Sequence, residues 1–236
     1  MKRSAFFWLW LVFFAVVEGV WAGKPPGRLL LLRRADLEFV RQRTAEGDST
    51  YLPALRRLRQ QADTALRDGP WSVVEKKVLP ASGDKHDYLS FGPYWWPDPG
   101  NPDAPYIRRD GERNPEALTS DKVGLSKLRD ALQVLGPAYF FFGDERYAEH
   151  GMKLIRTWFL NARTRMNPNF NFAQAIPNRS PGRPAGLIES RRFLPILDAL
   201  QLFQSSPHCR AEDVAGVQQW VRQFRNWMLN SENGRR

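Results

Sequence analysis

The segment Ser82-Gly-Asp-Lys-His-Asp-Tyr-Leu-Ser-Phe-Gly-Pro-Tyr-Trp-Trp-Pro-Asp-Pro99 concentrates residues able to do chemistry. It holds His86, one of three histidines in the chain, next to Lys85 and among Tyr88, Tyr94, Trp95 and Trp96. Indole and phenol rings stack on sugar rings, histidine and tyrosine move protons, and lysine meets carboxylates. Pro93, Pro97 and Pro99 exclude a continuous helix or central strand here. The segment therefore reads as a loop built around a ligand, with a carbohydrate as the best match.

Each residue has two readings. In a Pro-rich aromatic loop beside Lys85, the charged form of His86 is disfavoured, which suits a neutral base. The other reading is a ring that locks the loop through Asp84 or Asp87. Tyr88 and Tyr94 either donate a proton or stack. Of Trp95 and Trp96, one is expected to face ligand and the other to pack inward. A second polar cluster, Asn169, Asn171 and Gln174, suits carboxylates and hydroxyls, although Asn169 also suits turn capping. Arg183, Arg191 and Arg192 have the fork geometry for carboxylates, and Arg191 equally suits a structural ion pair. No metal-ligand spacing is present, so no metal and no cofactor are expected.

The elements that position these residues read as helical. Apolar residues recur at three or four through 33–67, with Asp48 or Ser49 as cap and Pro53 in the first turn of the second helix. The pattern returns from 117 to 142, with Pro137 expected to kink the helix, Gly143 to end it and Asp144 to cap the next. That next helix runs to about Phe159. Two more follow at about 185–204, kinked or split by Pro195, and at about 211–229. Phe140–Phe142, Trp158, Trp220 and Trp227 are expected in the core. Residues 70–116 carry eight of the eighteen prolines, show no period, and are too aromatic for disorder. No strand is expected. The architecture expected is all-α: an α/α toroid of helical hairpins with long Pro/aromatic-rich loops.

Lys2 and Arg3 precede twelve apolar residues, Phe6–Val17, and Val20-Trp21-Ala22 has small residues at the cleavage positions. Residues 1–22 read as a signal peptide, too short for a membrane span, which leaves 23–236 as one exported domain with no stable anchor. Cys209 is the single cysteine, so packing rather than a disulfide must hold the domain. The formal charge of +10 favours a polyanionic partner, although Arg outnumbers Lys 27 to 8, which also fits compositional bias. No basic helix or zinc pattern supports nucleic acid as a partner.

Three stretches carry a resemblance. The Ser82–Pro99 segment, Gly143-Asp-Glu-Arg-Tyr-Ala148, and Asn167-Pro-Asn-Phe-Asn-Phe-Ala-Gln-Ala-Ile-Pro177 followed by Gly186-Leu-Ile-Glu-Ser-Arg191 resemble the alginate lyase domain family from about residue 60 onward. The resemblance implies an exported α/α-toroid enzyme that cleaves uronic-acid polysaccharides, alginate or a glucuronan-like polymer, by β-elimination. Set against that chemistry, the residue types present make Lys85, Tyr88, Tyr94, Trp95, Trp96, Asn171, Gln174, Arg183, Glu189 and Arg191 the expected substrate contacts, with His86 as a candidate base.

The resemblance also implies an Asn-Asn-His stretch and a later Tyr as the main acid/base pair. Neither follows Ser231-Glu-Asn-Gly-Arg-Arg236, so the chain is expected to be an N-terminal portion of the toroid lacking those groups. Further expectations are a bacterial periplasmic or secreted location and a monomer. Two rival readings remain: a non-catalytic binder of acidic polysaccharide, and a glycoside hydrolase on a similar toroid, which would need a pair of carboxyl groups across a cleft.

Overall fold

A computed structural model describes residues 29–101 and 103–235, so the expected leader lies outside the described residues. The helices are α1 (Arg34–Ala45), α2 (Leu52–Ala65), α3 (Asp121–Phe142), α4 (Glu145–Ile155), α5 (Phe193–Phe203), α6 (Ala211–Asn230) and the short α7 (Glu232–Arg235). The helical class expected from the sequence is what the structure shows, with a few short strands beside the helices. The chain divides into two compact units, one of residues 29–68, 131–152 and 193–210, the other of 69–130, 153–192 and 211–235.

The first unit is helix on helix. Its core includes Ala62, Leu132, Leu135, Tyr147, Met152, Leu200 and Phe203, all fully buried. A Cβ on Gly136 would come within 2.8 Å of the Ala199 backbone, so glycine at 136 is what lets α3 and α5 approach. Gly143, at φ +64°, closes α3, and the Asp144 carboxylate accepts from the Arg146 N–H at 3.1 Å to start α4, as expected. Buried Asp198 on α5 accepts from the backbone N–H groups of Leu31 and Leu32 at 2.9 and 3.0 Å, fixing the strand of chain that leads into α1. Burial pushes the Asp198 carboxyl above its ordinary range.

One expectation is corrected in this unit. Phe140 and Phe142 are half-buried rather than core, each covered by a guanidinium, Arg41 at 4.6 Å and Arg59 at 4.0 Å. Of the two forms expected for 185–204, kinked or split, the segment takes the split one: a tight 3₁₀ stretch, Pro184–Arg192, ends where α5 begins, and Pro195 falls in the first turn of α5, where its missing N–H costs nothing.

The second unit holds both irregular stretches. Its core is aromatic: Trp220 stacks on Phe224 at 5.4 Å, Phe159 meets Trp220 edge-on at 4.9 Å, and Phe170 meets Phe224 at 5.1 Å. Trp158 and Trp220 are core as expected, but Trp227 is half-buried, with its indole N–H directed to the Asn171 side-chain oxygen at 2.7 Å. The expectation of no strand is also corrected. Short strands β1 (Leu89–Phe91), β2 (Trp95–Trp96), β3 (Ile107–Arg108) and β4 (Phe172–Ala175) form two pairs, β1 parallel to β4 and β2 antiparallel to β3. They are too short to show a period in sequence.

Candidate functional site

The β1–β4 pair joins the two irregular stretches. Leu89 lies opposite Phe172 and Phe91 opposite Ala175, and the pairing continues where the Gly92 N–H donates to the Ala175 carbonyl at 3.0 Å. The chain then turns at Pro93 and returns as β2, which places Trp95. Asn114 holds this turn twice: its backbone N–H donates to the Pro93 carbonyl at 2.7 Å and its side-chain amide to the Trp95 carbonyl at 2.8 Å. A Cβ on Gly92 would sit 2.7 Å from the Trp95 ring and 2.9 Å from the Arg183 guanidinium, so only glycine leaves room for both.

Trp95 is half-buried and lines a groove of about 820 Å³ within this unit. Arg179 lies 4.9 Å from the Trp95 ring centre and Arg183 5.8 Å. The rest of the wall is mostly apolar, including Leu79, Phe91, Ile176 and Pro177, with Asn114, Glu116, Asn178 and Ser180 supplying polar groups. Tyr106, also in the wall, donates to Glu116 at 2.9 Å. Burial first, then Glu116, raises the Tyr106 phenol above its ordinary pKa and keeps it a hydrogen-bond donor.

Gln174 has φ +50°, a left-handed backbone that side-chain-bearing residues rarely adopt. Three hydrogen bonds hold it there. Its N–H donates to Ser90 Oγ at 2.8 Å, and the Arg183 guanidinium donates to both the Gln174 backbone carbonyl and its side-chain Oε1, each at 2.9 Å. This leaves the Gln174 Nε2 hydrogens without a protein acceptor among the described residues. Burial, and after it the charge of Arg108, lowers the pKa of Arg183. Arg183 thus links a strained, clamped amide to the Trp95 ring, and an amide N–H beside a guanidinium is chemically able to hold a planar anion.

His86 sits elsewhere in the unit. Its Nδ1 is 2.6 Å from the Arg165 carbonyl, which can only accept, so Nδ1 carries a proton and donates it. The backbone around it is fixed: Asp84 accepts from the His86 N–H at 2.8 Å, and the Asn167 N–H donates to the His86 carbonyl at 2.9 Å. Hydrogen bonding from the His86 backbone is the main cause that holds the Asp84 carboxyl below its ordinary pKa. Asn167 and Asn169 donate to Asp87 at 2.9 and 3.0 Å, so Asn169 is a loop fastener. His86 thus locks the loop through Arg165 rather than through the Asp84 or Asp87 side chain to its ring.

Tyr88 and Glu189, expected as substrate contacts, are corrected to an internal pair. Tyr88 is fully buried and donates to Glu189 Oε2 at 2.6 Å, while Glu189 is 1% exposed with Lys122 3.5 Å from its other oxygen. Neither side chain offers surface to a polymer. Burial, and then Glu189, raises the Tyr88 pKa well above the ordinary value, so the phenol stays protonated and donates. Beneath them Lys76 pairs with Asp121 at 3.0 Å, and Asp121 also accepts from the Leu89 N–H at 2.8 Å.

The remaining expected residues scatter. Asn171 is exposed, its side-chain oxygen held by Trp227 and its carbonyl by Asn233 at 3.2 Å. Trp96 is half-buried and donates to the Glu112 carbonyl at 3.0 Å, with Arg109 5.2 Å from its ring. Tyr94 is half-buried, and its carbonyl accepts from the Arg109 N–H at 2.9 Å. Lys85 and Arg191 are exposed. The structure therefore brings Trp95, Gln174 and Arg183 together and leaves His86 outside that group. Sequence reasoning missed Tyr106, Asn114, Glu116 and Arg179. Only Arg179 had a signal, its place in Asn178-Arg-Ser-Pro-Gly-Arg183 directly after the quoted motif. Among the described residues, no group of three or more His, Cys, Asp or Glu side chains is placed to hold a metal.

Comparison with known proteins gives three findings. The family model described as alginate lyase matches residues 72–236. No curated protein matches. The crystal structure of an alginate lyase from Bacteroides ovatus is similar to this chain at a TM-score of 0.80 and 41% identity, over 85% of this chain and 53% of that one. The chain thus spans about half the length of that lyase.

Proposed function

Because the chain belongs to the alginate lyase family, we propose that its groove binds an acidic uronan, alginate or a glucuronan-like polymer, for cleavage by β-elimination. The observation that carries this reading is the Trp95 ring on the groove wall, with Arg179 on the same wall 4.9 Å from the ring centre and Arg183 behind it at 5.8 Å. A uronate ring stacks on the indole, and its carboxylate meets the two guanidinium groups and the Gln174 amide.

The chemistry sets the division of labour. The C5 proton of a uronate is weakly acidic while its carboxylate is fully charged. Donors aimed at that carboxylate stabilise the enolate-like anion that forms when the proton leaves. Arg183 and Gln174 supply this electrostatic part. Proton removal and protonation of the departing O4 need a base and an acid within hydrogen-bond reach of the bound sugar. Tyr106, held protonated, is suited to donating.

The test is incubation of the protein with alginate and with glucuronan, monitored in the ultraviolet. A lyase leaves a C4–C5 double bond that absorbs, whereas a hydrolase leaves none. A second reading, binding without turnover, is favoured by one observation: His86, the titratable group expected as base, is fastened by Arg165 and lies outside the Trp95 cluster. Retention of uronan with no absorbance change would select it. The hydrolase reading lacks its carboxyl pair, since Glu116 is the one carboxylate among the groove residues described. We further place the protein in the periplasm or outside the cell, as a monomer. No helix among the described residues is long and apolar enough to cross a membrane.

A further inference from the structure

The first unit has a cavity of its own, about 290 Å³, walled by α1, the end of α3 and α5. Its lining carries two buried hydrogen-bond donors with no partner among the described residues, Arg34 Nε and Gln201 Nε2. Gln201 is 5% exposed, and its Oε1 is already engaged by the Gln204 amide at 2.8 Å, so the unused group is the donor end. Leaving such a donor buried and unpaired is unfavourable, and a ligand oxygen that accepts from it removes the penalty. Arg41, 4.6 Å from the Phe140 ring, adds a second guanidinium to the wall.

The acceptors present are few. Glu38 supplies a carboxylate, and Ser205 a hydroxyl 3.3 Å from the Tyr139 hydroxyl. Two cations and an amide favour one carboxylate. Glu38 opposes a doubly charged anion such as phosphate but accepts from hydroxyl groups. The volume lies near the lower end of small-molecule sites, roughly 300 Å³, which suits one sugar ring and not a polymer. We propose that this cavity binds a single hydroxylated monocarboxylate of uronic-acid size, with the carboxylate on Arg34 and Gln201 and hydroxyls toward Glu38 and Ser205. The proposal stands on this unit alone and does not depend on the reading of the Trp95 groove.

The test is calorimetric titration of the full chain with D-glucuronate, with D-glucose and inorganic phosphate as probes of the neutral and doubly charged classes. Saturable glucuronate binding with a Kd on the order of 1 mM is expected, with glucose and phosphate at least about tenfold weaker. Gln201→Glu places a negative charge where the carboxylate lies and is expected to abolish binding. Arg34→Gln is expected to weaken it by about tenfold or more. Trp95→Ala, in the other unit, separates the two sites: binding retained in Trp95→Ala and lost in Gln201→Glu assigns it to this cavity. The reverse pattern, no saturable glucuronate binding in the folded protein, or phosphate binding tighter than glucuronate, overturns the proposal. If Gln201→Glu fails to fold, Arg34→Gln, at the half-buried first residue of α1, carries the same comparison.

Discussion

Arg183 holds Gln174 by backbone and side chain at once, each contact at 2.9 Å, and so keeps a side-chain-bearing residue in the left-handed region at φ +50°. The strain of such a backbone is on the order of 1–3 kcal/mol and persists only where neighbours over-determine it. Gln174→Gly should leave the melting temperature unchanged or slightly raised, since glycine adopts this backbone freely. Uronan affinity should fall, because the amide is gone. Thermal denaturation and a binding titration on the same sample check the two halves. A clear drop in melting temperature would show that the residue is there for stability.

Gly182 lies so close to Asn171 and Phe172 that an added Cβ would meet their backbone atoms, which cannot swing aside as a side chain can. Gly182→Ala should therefore cost about 1–3 kcal/mol or more by overpacking. Denaturant unfolding measures it, and a loss under about 0.5 kcal/mol, the range of an ordinary surface substitution, would contradict the close approach.

Tyr88→Phe removes the O–H that satisfies buried Glu189 Oε2 while keeping the ring against Phe170, 4.5 Å away. An acceptor left unpaired in the interior costs roughly 1–3 kcal/mol. Stability should fall by that amount. Uronan affinity of the folded fraction should not change, because neither residue reaches the surface. A selective loss of affinity with normal stability would return Tyr88 to the substrate contacts.

Asp121 gives a pH prediction. Burial, partly offset by Lys76 and the Leu89 N–H, pushes its carboxyl up to about 6 from the ordinary 3.8. The folded state then binds the proton more tightly than the unfolded state, so this group's contribution to stability declines as pH rises from about 4 to about 6 and is greatest below that window. Asp121→Asn keeps an acceptor for Leu89 but cannot titrate. Unfolding free energies should show a shallower decline, or a steeper rise, across that window in the variant. Parallel wild-type and variant profiles would contradict the assignment.

The helices were legible because apolar residues repeat at helical spacing and because Gly143, Asp144 and Pro53 punctuate them with local chemistry. The strands were not. β1 and β4 are three and four residues long, and their paired residues Leu89 and Phe172 are far apart in sequence, so no local pattern records the pairing. The aromatic loop announced Trp95 through its composition, but Tyr88 in the same loop points into the core. Burial there is decided by Glu189 and Phe170, which arrive from a distant stretch. Asp198 shows the same limit. Within an apolar helix it reads as an exception, and only the structure reveals the Leu31 and Leu32 amides that it serves.

The most direct test of the central claim is calorimetric titration of an acidic uronan oligosaccharide into wild-type and Trp95→Ala protein, with a neutral β-1,4-glucan oligosaccharide of equal length as control. Loss of one stacked ring and its flanking geometry should weaken uronan binding by about tenfold or more, a stacking contribution of about 1–1.5 kcal/mol beyond area burial together with lost contact. The neutral oligosaccharide should bind poorly to both proteins. Equal uronan affinity in wild type and Trp95→Ala, or equal affinity of the wild type for the two oligosaccharides, would contradict the assignment of the Trp95 groove as the uronan site.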